Sequence, residues 1–142
     1  MTPPAHKLPA AAKTVLVIDD DAALLDLLAV TLQQEGLVAV TATNGKEGLE
    51  KARSLAPDLI LLDVVLPEMD GLTVCSHLRR SRATAGIPII MLTGLTSTAN
   101  RAASLDCGAD EYITKPFDPA RLLSRIQDLL GQAQGTVVGA TH

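Results

Sequence analysis

Leu59-Ile60-Leu61-Leu62-Asp63-Val64-Val65-Leu66-Pro67-Glu68-Met69-Asp70-Gly71 is the stretch that decides the fold. Its first four residues are wholly aliphatic, too few for a helix, and they end on a carboxylate. Such a run reads as a strand buried on both faces. Three more runs repeat the pattern. Val15-Leu16-Val17-Ile18 is followed by Asp19-Asp20-Asp21, Ile89-Ile90-Met91-Leu92 by Thr93, and Tyr112-Ile113-Thr114 by Lys115. In an open α/β sheet, ligands bind outside the carboxyl ends of the strands. The sequence thus places three carboxylates, a hydroxyl and an ammonium on one rim.

Between these runs the apolar spacing turns helical. Leu24, Leu25, Leu27, Leu28 and Leu32 mark a helix over 22–35, with Asp21 as N-cap and Gly36 as stop. A second strand covers 37–43. Asn44 with Glu47 resembles a capping box for a helix to about Ser54, ended before Pro57. Asp70-Gly71 forms a turn, and a third helix runs from Leu72 to about Arg80. A weaker helix rich in Ala and Ser spans 97–107, before Gly108. Asp118-Pro119 opens a last helix to about Leu130, where Gly131 is expected to stop it. Five strands alternating with helices imply βαβ crossovers and a parallel sheet covered on both faces. The expected organisation is a flexible leader at 1–12, one domain at 13–130 and a flexible tail at 131–142.

Composition narrows the function. The 142 residues are 47% apolar and only 1% aromatic, so the core must be aliphatic. The net charge of −4 argues against a nucleic-acid surface. The patch Arg79-Arg80-Ser81-Arg82 reads as a solvated helix end. No stretch reaches transmembrane length, and the first residues lack the apolar core of a secretory signal. Cys75 and Cys107 show no metal-ligand spacing. They read as small core or helix-end residues in a reducing cytoplasm.

Three crowded carboxylates repel one another, and either a proton or a hard divalent cation resolves the conflict. Mg²⁺ takes one or two carboxylates, keeps several waters and accepts phosphate oxygens. Aspartate is a covalent nucleophile that yields an aspartyl-phosphate. A lysine can pair with the transferred oxygens, and a threonine hydroxyl can bond one of them. Taken alone, Asp19-Asp20-Asp21 is a solvated turn with a helix cap, Asp63 a turn residue, Thr93 a strand-end filler and Lys115 a surface lysine. Their joint placement on one rim argues for a phosphorylation site.

The same residues carry a resemblance to the receiver domain of two-component response regulators. It rests on Val17-Ile18-Asp19-Asp20-Asp21, Leu61 to Gly71, Met91-Leu92-Thr93-Gly94, and Gly108 to Phe117, in family order and spacing. It covers about 13–130. The resemblance implies a flavodoxin-like (βα)5 fold, a doubly wound five-stranded parallel sheet of order 2-1-3-4-5. It implies Asp63 as phospho-acceptor, Asp20 as a direct Mg²⁺ ligand, Asp19 as an acid acting through water, and the Val65 backbone carbonyl as a further ligand. Thr93 and Tyr112 become the switch pair, and Lys115 the phosphoryl-pairing amine, with a cis Lys115-Pro116 bond.

The function implied is a cytoplasmic switch rather than a turnover enzyme. A histidine kinase or histidine phosphotransfer protein would supply the phosphoryl group. The face built from the weak fourth helix, the fifth strand and the last helix would then engage a downstream protein or output domain, or a second copy in a phosphorylation-dependent homodimer. No membrane or direct nucleic-acid contact is implied. Val65 and Leu95 occupy places that, in this family, flank the water that hydrolyses the acyl phosphate. Neither can orient it, so a long-lived phosphoryl state is expected. Two alternatives stay open: an interaction module independent of phosphorylation, and an excerpt of a longer regulator. A haloacid-dehalogenase-type phosphatase would need an Asp at 65, where Val stands.

Overall fold

Successive strand residues point to opposite faces of a sheet, and β1 (Thr14–Ile18) buries both sets. Val15 and Val17 enter one core with alternate residues of β3 (Leu59–Asp63) and β4 (Ile89–Thr93). Leu16 and Ile18 enter the other. The computed structural model describes residues 12–94 and 106–139. β2 (Val38–Ala42) and β5 (Glu111–Thr114) complete a parallel sheet of order β2-β1-β3-β4-β5. This is the expected flavodoxin-like order, and β1 and β3 lie side by side at its switch point.

Each face is closed by helices whose apolar stripes match it. α1 (Ala22–Gln34) and the C-terminal helix (Pro119–Gly139) cover the first core through Leu25, Leu28, Leu122 and Ile126. α2 (Gly45–Leu55) and α3 (Gly71–Arg80) cover the second through Leu49, Ala52, Val74 and Leu78. Aliphatic side chains fill both layers, and a Leu-to-Ala change there costs about 2–5 kcal/mol.

The caps follow the sequence. Asp21 Oδ1 accepts the N–H groups of Ala23 and Leu24 at the start of α1. Gly36, at φ +81°, ends that helix while the Leu37 N–H reaches back to the Leu32 carbonyl at 3.0 Å. Asn44 caps α2 by accepting the Glu47 N–H at 2.8 Å, and Glu47 accepts the Thr43 N–H in return. Asp70, read as a turn residue, also caps α3 through the Thr73 N–H.

The last helix departs from expectation. Gly131 does not stop it, and the helix continues to Gly139. A helix-ending glycine takes a positive φ, and among the described residues only Gly36 and Gly108 do so. A glycine left inside a helix costs only about 1 kcal/mol relative to Ala. The weaker helix expected over 97–107 lies outside the described residues except for its last two positions. Most of the expected leader, 1–12, also lies outside them.

Candidate phosphoryl-accepting site

The rim residues converge because parallel strands in register end together. Asp63 is the last residue of β3 and pairs with Leu92, while Thr93 ends β4 and pairs with Thr114. Asp19 follows β1 directly, anchored by its N–H to the Ala42 carbonyl at 3.0 Å. Lys115 follows β5, and its N–H donates to the Thr93 carbonyl at 2.7 Å. Its peptide bond to Pro116 is cis.

The Lys115 ammonium lies between two buried acids. It donates to Asp19 Oδ2 at 2.8 Å and to Asp63 Oδ2 at 3.2 Å. The other oxygen of each acid accepts a backbone N–H two residues on. Asp21 N donates to Asp19 Oδ1 at 2.9 Å, and Val65 N to Asp63 Oδ1 at 3.1 Å. Asp19, Asp20 and Asp63 each offer a carboxylate oxygen, all within 4.8 Å of one another. Asp19 and Asp63 are buried, and Asp20 is exposed at the mouth.

Charge is the dominant physical fact of this cluster. Burial raises the Asp63 carboxyl above the usual carboxylate range, and the neighbouring Asp19 charge raises it further. The Val65 N–H and the Lys115 ammonium oppose that rise without cancelling it. Burial alone would lower the Lys115 pKa, but the hydrogen bond and charge of Asp19, with those of Asp63, raise it. One ammonium therefore faces three carboxylates, and negative charge is left over. Such an oxygen-only donor set, open on one side, fits a hard divalent cation.

A backbone requirement at this site is not readable as a signal in the sequence. The Gly71 N–H donates to the Val64 carbonyl at 2.7 Å, and a Cβ on Gly71 would run into the Asp63 carbonyl oxygen. The glycine thus lets α3 start directly behind β3. The Asp70-Gly71 pair advertises a turn but not this contact.

The remaining sequence candidates fall into place unevenly. Thr93 is fully buried at the end of β4. By alternation it shares a face with Met91, and Tyr112, paired with Met91, packs half-buried on that same core. Val65 leaves its side chain 57% exposed beside the acid cluster. Leu95 lies outside the described residues. The Arg79-Arg80-Ser81-Arg82 patch is not merely a solvated helix end. Arg79 is half-buried and donates to the carbonyls of Gly108, Ala85 and Ile87 and to Asp110. Asp110 also accepts the Ile89 N–H at 2.9 Å and so ties β4 to the turn before β5.

Known proteins share this arrangement. The family profile described as Response regulator receiver domain matches residues 15–127. The chain is 43% identical over 128 residues to the DNA-binding dual master transcriptional regulator RpaA of Synechocystis, covering 90% of this chain and 53% of RpaA. It is 44% identical over 113 residues to the DNA-binding response regulator MtrA of Mycobacterium tuberculosis, covering 80% of this chain and 48% of MtrA. It therefore spans about half the length of the curated relatives it matches. Among solved structures, a CheY-like receiver domain protein from Methanospirillum hungatei superposes with a TM-score of 0.84 at 36% identity, over 89% of this chain and 99% of that one. The chemotaxis protein CheY4 of Vibrio cholerae gives 0.80 at 34%, over 84% and 99%. With the sheet order, the acid cluster and the matched span in agreement, the chain belongs to the response regulator receiver domain family.

Proposed function

We propose that Asp63 accepts a phosphoryl group from a phosphohistidine on a histidine kinase or histidine phosphotransfer protein. The observation that carries this reading is the Lys115 ammonium held at 2.8 and 3.2 Å from Asp19 and Asp63. In the transfer, an Asp63 oxygen bonds phosphorus while the phosphorus–nitrogen bond of the donor breaks. Asp63 is fixed for this by the Val65 N–H on its other oxygen. Lys115 moves its pairing from the Asp63 carboxylate to the incoming phosphoryl oxygens. Asp19, Asp20, Asp63 and the Val65 carbonyl are the groups assigned to Mg²⁺, which when bound neutralises negative charge converging on the reacting phosphorus.

The output follows from the strand ends. Thr93 turns toward the phosphoryl group and Tyr112 takes up the space behind it, a local event that biases a two-state equilibrium. The surface altered includes β5 and the C-terminal helix; the fourth helix of the expected face lies outside the described residues. Its partner is a downstream protein, an output domain or a second copy of the chain. Residues 13–130 form the receiver unit. The chain's net charge of −4 argues against this unit touching nucleic acid itself. No helix among the described residues is long and apolar enough to cross a membrane, and a cytoplasmic location fits the reading.

The test is incubation with a small acyl phosphate donor and Mg²⁺, followed by intact-mass and hydroxylamine-lability measurements. One labile phosphoryl group per chain is expected, abolished by Asp63→Asn and by chelation. Labelling that survives Asp63→Asn would place the acceptor elsewhere.

A further inference from the structure

Cys75 and Cys107 look isolated in the sequence, 32 positions apart, yet they meet in the fold. Cys75 lies on the buried face of α3, and Cys107 is half-buried in the turn that precedes β5. The Cys75 thiol donates to the Cys107 carbonyl at 3.3 Å. Neither takes part in the acid cluster at the opposite ends of the strands.

Their surroundings make the two thiols unequal. Arg79, one turn along α3, lays its stem against Gly108 and donates Nε to the Gly108 carbonyl at 2.8 Å. The neighbouring Cys75 thiol lowers the Cys107 pKa; burial resists this, while the Ala109 N–H and the Arg79 charge assist it. The Cys75 thiol is pushed up, by its bond to Cys107 and by burial. A half-buried thiol near an arginine, beside a fully buried one, is the arrangement of an attacking and a resolving cysteine.

We propose that Cys75 and Cys107 form an oxidisable dithiol that a hydroperoxide closes to an intramolecular disulfide. The Cys107 sulfur attacks one peroxide oxygen, the oxygen–oxygen bond breaks, and the other oxygen leaves as water or alcohol after taking a proton. Cys107 is then a sulfenic acid. The Cys75 sulfur attacks the Cys107 sulfur, the sulfur–oxygen bond breaks, and the Cys75 proton leaves with the hydroxyl as water. Two thiols are oxidised and one peroxide is reduced. The bond would join α3 to the turn before β5 and close a loop that contains β4 and Thr93. A reducing dithiol reverses it, as befits a transient disulfide in a reducing compartment.

The test uses the full chain, reduced and freed of reductant, with stoichiometric hydrogen peroxide. Expected is a monomer that has lost two hydrogens, a non-reduced peptide linking Cys75 to Cys107, and reversal by dithiothreitol. Cys75→Ser and Cys75→Ala, each checked for native circular dichroism, should stop at a dimedone-reactive Cys107. Cys107→Ser should slow thiol loss by about tenfold or more. The proposal falls if the native chain over-oxidises Cys107 while Cys75 stays free. It falls equally if only cross-linked dimers form, if linkage needs prior unfolding in urea, or if Cys107→Ser reacts as fast as the parent.

Discussion

Replacing Lys115 with Met keeps the stem and removes the charge between two buried acids. The ammonium makes contacts of 2.8 and 3.2 Å. At an effective dielectric of about 20, each is worth about 5–6 kcal/mol in gross Coulomb terms, and most of that is offset by desolvation. Removing one partner of a buried pair costs about 3–5 kcal/mol. Here the Lys115 side chain is 24% exposed, and the orphaned acids can take up a proton instead. The expected loss near pH 7 is about 2–3 kcal/mol, a fall in Tm of about 6–18 °C for a domain of this size.

The pH dependence identifies the cause. The folded-state pKa of Asp63 is raised above its ordinary 3.8, so its ionised form opposes folding. That penalty is present at neutral pH and is relieved as pH falls through the raised value toward the ordinary one. Lys115→Met enlarges the penalty, so the gap between variant and parent should narrow between a neutral and an acidic pH. Lys115 itself stays charged across that window, because its pKa is raised from 10.5 and its contribution is lost only above that. Millimolar Mg²⁺ should restore the variant more than the parent, by supplying cationic charge to the same oxygens. Thermal melts by circular dichroism, in chelator and in Mg²⁺ at both pH values, read all of this. A loss of stability indifferent to pH and to Mg²⁺ would refute charge crowding as the organising feature of the cluster.

Three further outcomes are expected. Gly71→Ala drives a methyl group into the Asp63 carbonyl. Urea unfolding should show a loss of about 2–3 kcal/mol, with slower phosphoryl acceptance because the Asp63 backbone must move. Val65→Asn places a polar side chain at the exposed mouth, where Val is 57% accessible. It should speed loss of the phosphoryl group, as timed by intact mass, and an unchanged or slower rate would leave Val65 as surface shape alone. Arg79→Met removes donors from the carbonyls of Gly108, Ala85 and Ile87 and strips Asp110 of its ion partner. It should cost about 2–3 kcal/mol and accelerate amide exchange at Ile89 and the start of β5; a change under about 0.5 kcal/mol would show the node to be idle.

The strand-end carboxylates were legible because the code for a parallel sheet is local. An aliphatic run followed by a polar residue fixes both a buried strand and the position of its carboxyl end, and β1, β3 and β4 obey it to within one residue. Caps were legible for the same reason, since Asp21, Asn44 and Gly36 act on neighbours within a turn. Gly131 misled because a glycine permits a helix stop without requiring one.

What the chain order alone determined is the alternation of elements and the set of chemical groups at the strand ends. These depend on periodicity and on side chains within a few positions. Only the tertiary structure decided that Lys115 sits nearer Asp19 than Asp63, that Gly71 lies against the Asp63 carbonyl, and that Arg79, Asp110 and the two cysteines gather below the sheet. Those contacts join residues tens of positions apart, and the distances between them are set by how helices pack on strands rather than by any nearby residue.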